Sequence, residues 1–244
     1  MRRVLFSWRG FNFYSYPTML YVGSVCGVFV AAHLARSSGL DPDRFALAMV
    51  ILFMLAVLGA RLFFVLSHWP LYRKDPSRIW RRSEGGMAMY GGILVAVPLS
   101  VPLLRALDLP FALFWDAATF AILIGMAFTR IGCLLNGCCS GRPTDSWFAL
   151  HLPDHRGIWR RRVPMQLLEA AWALLLLAVA LVIRRWQPAA GAIFGSTVVA
   201  YATGRCFLQK LRDDETVSDT GVIRATSIVL ASAALIGLCI GWAW

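Results

Sequence analysis

FALFWDAATFAILIGMAFTRIGCLLNGCCSGR, residues 111–142, combines a membrane-spanning pattern with a buried charge. The stretch begins as an apolar run long enough to cross about 30 Å of hydrocarbon. Arg130 lies near the end of that run, and an arginine at a bilayer centre costs roughly 2.5 kcal/mol or more. Glycines, an asparagine and three cysteines follow, which allow a sharp turn and offer polar groups. The stretch therefore predicts a transmembrane helix that ends at a site for an anion.

The composition extends this reading to the whole chain. Hydrophobic residues make up 59% of the sequence and charged residues only 15%, against about 25% charged residues in a typical soluble domain. We therefore expect an all-α integral membrane protein of about seven transmembrane helices, folded as a single domain over residues 1–244. No linker, convincing repeat or cleavable signal peptide stands out. The predicted spans are Thr18–Ala35, Phe45–Leu66, Met87–Leu104, Phe111–Leu134, Met165–Ile183, Gly191–Gln209 and Ala225–Trp244.

The net charge of +11 indicates a membrane surface rather than nucleic acid. In a soluble protein such a charge would favour nucleic acid, but here it favours contact with anionic phospholipid headgroups. Sixteen of the Lys and Arg residues outside the spans lie on the N-terminal side of the membrane and five on the other. By the positive-inside rule, the N-terminal side would be cytoplasmic.

Three arginines lie within predicted spans. Arg61, Arg130 and Arg205 each belong to an even-numbered span, so alternation of the spans can bring them to one face of the membrane. The planar guanidinium suits bidentate binding of phosphate. Alternatively, each arginine snorkels or pairs singly with Asp116, Glu169 or a backbone carbonyl.

Two further segments are expected on the same face. Glu84–Gly92, at the start of the third span, is rich in glycine, which allows close approach of the backbone to a ligand or simply close helix packing. At the start of the fifth span, Gln166 and Glu169 share a helix face and can orient one of the arginines. Tyr201 shares a face with Arg205 in the same way.

The loop Ser140–Val163 is predicted to lie at the headgroup level. It contains Trp147, Trp159, His151, His155 and the run Arg160–Arg162. Tryptophan and arginine both favour the membrane interface, so the loop is interpreted as a lid or arm, or more simply as an electrostatic anchor. The histidines can act as acid–base groups or be merely solvated.

The six cysteines do not form the pattern of a disulfide framework. Three of them stand singly in apolar runs and are expected to be small buried residues, whereas Cys133, Cys138 and Cys139 cluster. The cluster has no histidine nearby and no second group of ligands at a suitable spacing. The sequence therefore predicts neither a metal site nor a cofactor.

The chain resembles the prolipoprotein diacylglyceryl transferase family over nearly its whole length. The resemblance rests on an ordered set of motifs, of which the long arginine signature is the most specific. The motifs are Tyr16-Pro17, Gly59-Ala60-Arg61-Leu62, Trp80 with Gly85-Gly86-Met87, Tyr90-Gly91-Gly92, Arg130-Ile131-Gly132 with Asn136-Gly137 and Gly141-Arg142, Pro164 with Gln166-Leu167 and Glu169, and Tyr201 with Arg205 and Arg212.

The resemblance implies a transferase that moves the diacylglyceryl group of phosphatidylglycerol to a cysteine thiol of a preprolipoprotein and releases glycerol phosphate. It implies a lateral opening for lipid, an interfacial loop or arm region, a monomer in the bacterial cytoplasmic membrane, and an active site on the outer face. The partners would be phosphatidylglycerol or another anionic phospholipid, with a lipoprotein precursor or another thiol as acceptor. The catalytic residues would be Arg130, Arg205, Tyr90 and Tyr201. The substrate-binding residues would be Tyr16, Arg61, Gly91, Gly92, Asn136, Gly141, Arg142, Gln166, Glu169 and Arg212.

The sequence departs from the family pattern where the acceptor thiol would be activated. Tyr90 stands in place of the family's histidine, and a tyrosine with a pKa near 10 is a poor general base at neutral pH. Cys133 and Cys138 replace an asparagine and a glutamate of the signature, while Val163 and Leu168 replace a histidine and a tyrosine. The part of the site that would bind the lipid phosphate is thus retained, and the part that would activate the acceptor thiol is altered.

The altered positions suggest several hypotheses. Cys138 or Cys139 can act as a nucleophile, although a thioether is a poor leaving group, and a disulfide from Cys133 to either is the stronger expectation on an oxidising face. Nearby arginines can also lower the pKa of the acceptor thiol without a base. The alternatives to an enzyme are a non-catalytic phospholipid-binding member and an anion transporter, for which no inverted repeat is found. The outer-face site conflicts with the charge asymmetry, and we follow the family's topology.

Overall fold

The computed structural model describes residues 2–9, 11–73, 75, 77, 89–154 and 157–213. The elements, in chain order, are β1 (Val4–Trp8), β2 (Phe11–Tyr14), α1 (Ser15–Arg36), α2 (Pro42–Ser67), α3 (Trp69–Tyr72), α4 (Met89–Ala106), α5 (Phe111–Asn136), β3 (Leu150–Pro153), β4 (Trp159–Arg162), α6 (Met165–Arg184) and α7 (Ala192–Gln209). The chain divides into two compact units, residues 35–114 and the remainder.

The prediction of a helical membrane protein is confirmed. Within the described part of the chain, four helices are long and apolar enough to cross a membrane, namely α1, α2, α5 and α6. The predicted third span corresponds to α4, of which Gly91–Ala106 forms a shorter apolar helix, and the predicted sixth corresponds to α7. The predicted seventh span lies outside the described residues. Each boundary agrees with the sequence prediction within a few residues, because apolar runs of this length can satisfy their backbone in lipid only as helices.

Two antiparallel hairpins add to the helical architecture. β1 pairs with β2 before the first helix. β3 pairs with β4 inside the loop between α5 and α6, with Leu150 opposite Arg162 and Pro153 opposite Trp159. The second hairpin gives regular structure to a segment for which the sequence predicted only a lid, arm or anchor.

In the larger unit, α1 and α5 run antiparallel in close contact. A Cβ added to Gly27 would lie 2.6 Å from the carbonyl oxygen of Ala121, and one added to Gly132 would lie 2.9 Å from the Cβ of Met19. These glycines let the two backbones approach closely, as small residues do at helix interfaces in membranes. The contacts bring the start of α1 beside the end of α5.

Helices α6 and α7 also run antiparallel, and α7 is fixed at its start by α5. A Cβ on Gly204 would overlap the indole ring of Trp172, so the missing side chain makes room for that ring. At the start of α7, the buried carboxylate of Asp116 accepts hydrogen bonds from the backbone N–H groups of Gly191 at 2.7 Å and Phe194 at 2.8 Å. An acidic group at a helix N-terminus satisfies free N–H donors and interacts favourably with the helix dipole. Among the described contacts Asp116 therefore caps a helix, and the alternative that it pairs with an intramembrane arginine is wrong.

The unit of residues 35–114 is built on α2 packed against α4. Asp41 caps α2 by accepting hydrogen bonds from the N–H groups of Asp43 at 2.9 Å and Arg44 at 3.1 Å. A Cβ on Gly59 would lie 2.6 Å from the carbonyl oxygen of Gly91, and one on Gly92 would lie 2.8 Å from that of Ala56. Gly91 and Gly92 therefore serve helix packing in this unit, in line with the simpler of the two sequence interpretations.

Candidate functional site

One carboxylate gathers three arginines at one end of the larger unit. Glu169, in the second turn of α6, forms ion pairs through Oε2 with Nε of Arg130 at 2.5 Å and through Oε1 with Nη1 of Arg212 at 3.2 Å. Its Oε1 also pairs with Nη1 of Arg205. The arginines come from the end of α5, from α7 and from the segment just after α7. We call these four residues the Glu169 cluster.

The Glu169 cluster carries an excess of positive charge. Three guanidinium groups share one carboxylate, which leaves a formal charge of +2 among the four residues. Their side chains are between 7% and 17% exposed, so water screens this charge far less than at a surface. The arrangement suits an anion with two or more oxygens, which can accept hydrogen bonds from several guanidinium groups at once.

The last turns of α5 and the turn that follows bring three thiols to the edge of this cluster. Gly137 and Cys139 both adopt positive φ, 75° and 64°, and Gln166 donates a hydrogen bond from Nε2 to the carbonyl oxygen of Cys138 at 2.5 Å. The left-handed conformation is unfavourable for a residue with a Cβ, so Gln166 helps to hold a strained turn. The sequence interpretation that Gln166 orients an arginine finds no support in its described hydrogen bond.

Cys133, Cys138 and Cys139 are free thiols whose sulfur atoms all lie within 4.8 Å of one another. Cys133 is buried, Cys138 is partly buried and Cys139 is exposed. Hydrogen bonds from Cys133 and Cys138 lower the pKa of the Cys139 thiol below its ordinary value, and the charges of Arg130 and Arg212 act in the same direction. Cys139 therefore lies among the other two thiols and beside two positively charged arginines.

Several other residues of the predicted site border these groups. Tyr16 is close enough to interact with the charges of Arg130 and the three cysteines, and Tyr201 interacts with the charge of Arg130. The side chain of Asn136 is close enough to interact with the thiol of Cys138. The structure thus collects Tyr16, Asn136, Tyr201 and the cysteines around the Glu169 cluster.

Gly141 lets three segments of the chain meet beside the site. Its N–H donates to the carbonyl oxygen of Val163 at 2.9 Å, and the N–H of Arg142 donates to that of Leu211 at 3.1 Å. A Cβ on Gly141 would lie 2.6 Å from the carbonyl oxygen of Leu211. The absent side chain is therefore what allows Arg212 to approach the turn after α5. Arg142 itself is exposed.

A second buried ion cluster lies nearby, and the sequence analysis named only its arginine, within the run Arg160–Arg162. Arg162 is only 3% exposed and pairs through Nη2 with Asp154 at 3.0 Å and through Nη1 with Asp213 at 2.5 Å. We call these three residues the Arg162 cluster. The prediction that the whole run Arg160–Arg162 anchors the protein at the headgroups is wrong for Arg162, whereas Arg160 and Arg161 are exposed.

The remaining predicted residues lie elsewhere. Arg61, Gly91 and Gly92 belong to the unit of residues 35–114, where the guanidinium of Arg61 lies 5.7 Å from the ring centre of Tyr72. The convergence of Arg61 with Arg130 and Arg205 therefore stays a prediction. The side chain of Tyr90 and the residues Glu84–Ala88 lie outside the described part of the chain, as does His155. His151 stacks on Trp159 in the second hairpin.

The match to a family model covers residues 3–243, and its description is prolipoprotein diacylglyceryl transferase. The chain belongs to the prolipoprotein diacylglyceryl transferase family. It is accordingly an enzyme of the membrane, of the transferase class that serves lipoprotein biosynthesis. The apolar helices and the family together indicate the inner membrane of a bacterium.

Three similar proteins share the name phosphatidylglycerol–prolipoprotein diacylglyceryl transferase. The protein of Symbiobacterium thermophilum is 30% identical over 240 residues, which covers 91% of this chain and 85% of the relative. That of Geobacillus kaustophilus is 29% identical and covers 94% and 90%. That of Halalkalibacterium halodurans is 27% identical and covers 98% and 85%. The family resemblance predicted from the sequence motifs is thereby confirmed.

Proposed function

We propose that this protein transfers the diacylglyceryl group of phosphatidylglycerol to a cysteine thiol of a preprolipoprotein or a related acceptor. The carbon–oxygen bond between the diacylglyceryl group and the phosphate breaks, a carbon–sulfur bond forms, and glycerol phosphate leaves. The observation that carries this proposal is the pairing of Glu169 with three arginines. Their residual charge of +2 matches the demand of a phosphodiester that becomes a phosphate monoester dianion as it leaves.

Each residue of the site has a role in this scheme. Arg130 and Arg205 bind the lipid phosphate and stabilise the charge that develops on the leaving group, because guanidinium donors held in place by a carboxylate need little reorganisation. Arg212 adds positive charge and Glu169 orients the three arginines. Tyr201 donates a hydrogen bond to the headgroup.

The other predicted residues act around that core. Asn136, Gly141 and Gln166 shape the turn beside the phosphate, and Tyr16 and Arg142 contact the substrate. The substrate and catalytic roles that the resemblance implies for Arg61, Gly91, Gly92 and Tyr90, which belong to the unit of residues 35–114, stay predictions.

The membrane arrangement forms part of the proposal. Seven helices would span the membrane, a lateral cavity would admit the lipid tails, and the segment from residue 140 to residue 163 would form the interfacial arm, with a monomer as the working unit. The active site would lie on the outer face, against the excess of basic residues on the N-terminal side. A reporter fused after Trp244 should report a cytoplasmic position, and a periplasmic signal would invert this topology.

Transfer to a peptide tests the reaction directly. The full-length protein would be placed in nanodiscs that contain phosphatidylglycerol and supplied with a lipobox peptide, and mass spectrometry would follow peptide lipidation and glycerol phosphate release. We expect Arg130→Ala to lower turnover by about 10³-fold, since removing one charge-stabilising donor costs about 3–4 kcal/mol. Arg105→Ala, at the exposed end of α4, is the matched control and should keep full turnover.

The second candidate function is binding of anionic phospholipid without transfer. The replacement of a histidine by Tyr90 and the cysteines at positions 133 and 138 favour it. Phospholipid binding that Arg130→Ala abolishes, without lipidation of any thiol peptide, would support this candidate and refute the transferase. Rescue of a bacterial strain depleted of its own transferase would support the enzyme with the ordinary acceptor.

A further inference from the structure

The turn after α5 gathers three thiols for which the phosphate-binding scheme has no use. Cys133 lies in the last turns of α5, and Cys138 and Cys139 follow Gly137. The sulfur atoms lie within 4.8 Å of one another. A zinc ion binds thiolate sulfur at about 2.3 Å, so that tetrahedral ligands lie about 3.8 Å apart. Inward movements of about 1 Å would therefore create a three-thiolate site.

The backbone holds this convergence against its local preference. Cys139 has φ of 64°, a conformation that costs about 1 kcal/mol or more for a residue other than glycine. The hydrogen bond from Gln166 to the Cys138 carbonyl oxygen, 2.5 Å long, fixes the turn from α6. Gln166 is 1% exposed, so the side chain that holds the turn is itself buried.

The charges around the thiols suit such a complex. A zinc ion with three thiolates carries one negative charge, and a phosphodiester carries another. Together they balance the charge of +2 on the Glu169 cluster, whose Arg130 and Arg212 interact with Cys139. Three neutral thiols would leave the same site with a net positive charge when the lipid is bound.

We propose that Cys133, Cys138 and Cys139 bind zinc, and that the open fourth position takes up the acceptor thiol. This inference rests on the proposed transfer to a thiol. Three protein ligands with one open position form the usual catalytic zinc arrangement. The exposed side of Cys139 leaves that position accessible. The sequence analysis predicted no metal site because the cysteines have no histidine nearby and no second group of ligands. A fourth ligand supplied by the acceptor makes such a group unnecessary.

Glu169 is not available to activate the acceptor thiol, since both of its carboxylate oxygens pair with arginines. Zinc would supply this activation instead. A coordinating thiol is deprotonated outright, and its proton passes to water. The thiolate sulfur then attacks the diacylglyceryl carbon, and the electron pair of the breaking carbon–oxygen bond leaves with glycerol phosphate. The thioether product carries no charge and is a weaker ligand, so it leaves the metal. No oxidation state changes.

Metal content and transfer are measured on the same full-length protein in nanodiscs. Loaded with zinc under reducing conditions, it should hold one zinc per chain, and Cys133→Ala, Cys138→Ala and Cys139→Ala should each lose it. Cys26→Ala, in the middle of α1, is the matched control and should keep both metal and activity. With cobalt in place of zinc, a lipobox peptide should change the visible absorption spectrum, whereas the same peptide with serine at its acceptor position should not.

The three alanine variants should transfer about 100-fold more slowly, the scale of a lost general base, while phosphatidylglycerol still protects them from thermal unfolding. Transfer by the parent protein separates the two failures: a parent that lipidates no peptide refutes the proposed function, whereas a parent that transfers without bound metal refutes only the zinc site. Full activity of protein shown to be metal-free would overturn the proposal. A disulfide between two of these cysteines in the active protein would overturn it as well.

Discussion

The Glu169 cluster and the Arg162 cluster are both buried ion networks in the same unit, but their charges differ in sign. In the first, one carboxylate meets three guanidinium groups and leaves a charge of +2. In the second, one guanidinium meets two carboxylates and leaves −1. The two networks are adjacent in the chain, because Arg212 belongs to the first and Asp213 to the second. Two consecutive residues therefore belong, one to a site open to an anion and the other to a network whose ions already have partners.

The difference distinguishes buried charges that can bind a ligand from buried charges that stabilise the fold. Desolvating an ion is costly, and a network that leaves positive charge at a partly accessible place is stabilised only when an anion arrives. Arg162 joins the second hairpin to the segment just after α7, and it makes no demand on a ligand. We therefore expect changes in the Arg162 cluster to affect unfolding, and changes in the Glu169 cluster to affect lipid binding and turnover.

Arg162→Met should give the largest loss of stability. It leaves the carboxylates of Asp154 and Asp213 without their buried guanidinium, and breaking such a pair from one side costs about 3–5 kcal/mol. The free energy of unfolding, from reversible denaturation in detergent, would measure it. Arg161→Met is the control at an exposed neighbouring position. A normal stability for Arg162→Met would remove the contrast between the clusters.

Glu169→Gln should change stability by a smaller amount, and the size of this change should depend on lipid. Without lipid, three arginines lose their carboxylate and the protein is destabilised by about 2 kcal/mol, since charged groups remain buried with less compensation. Anionic phospholipid should restore more stability to this variant than to the parent, because the site has gained one net positive charge.

Thermal unfolding with phosphatidylglycerol and with phosphatidylcholine would test Glu169→Gln. Turnover should fall as well, because the arginines lose their orientation. The advantage of phosphatidylglycerol over phosphatidylcholine should be larger for the variant than for the parent. An equal advantage for both proteins would contradict the idea that this cluster is open to an anion.

Gly141→Ala should have the smallest effect and should touch both clusters. Its Cβ would meet the carbonyl oxygen of Leu211 at 2.6 Å, so the segment from 211 to 213 must shift, at a cost of about 1–2 kcal/mol. Since Arg212 and Asp213 move together, stability and turnover should fall in the same variant. Gly125→Ala, with no positive φ and nothing within 4 Å of its Cβ position, controls for the added methyl group alone. A loss of only one property would show that the two residues move independently.

The helices could be predicted from the sequence because lipid leaves an apolar run few alternatives. Arg130 and Arg205 were singled out for the same reason, since an arginine in such a run needs a partner. That their common partner is Glu169 was predicted only as a possibility, because helix spacing fixes the face of a residue but not the rotation of one helix against another.

The Arg162 cluster could not be predicted in the same way. Its residues come from a hairpin and the segment just after α7, where no helical period relates them, and the register of β3 with β4 selects which of three consecutive arginines points inward. Arg160, Arg161 and Arg162 are consecutive and identical in type, yet the first two are exposed and the third is buried. Asp116 was likewise predicted as a possible partner of an arginine, because the sequence does not reveal that the start of α7 lies beside it.

The cap that Asp116 places on α7 fixes a length inside the protein. From Phe194, where the cap ends, to Arg205 there are about three helical turns, or roughly 16 Å at 1.5 Å per residue. Asp116 holds one end of this distance and Glu169 the other. Helix α7 therefore works as a spacer of set length, and one residue added within it would turn Arg205 by about 100° away from Glu169. The number of α7 residues from Phe194 to Arg205 therefore fixes how far the arginine that pairs with Glu169 lies from the end of the helix that Asp116 caps.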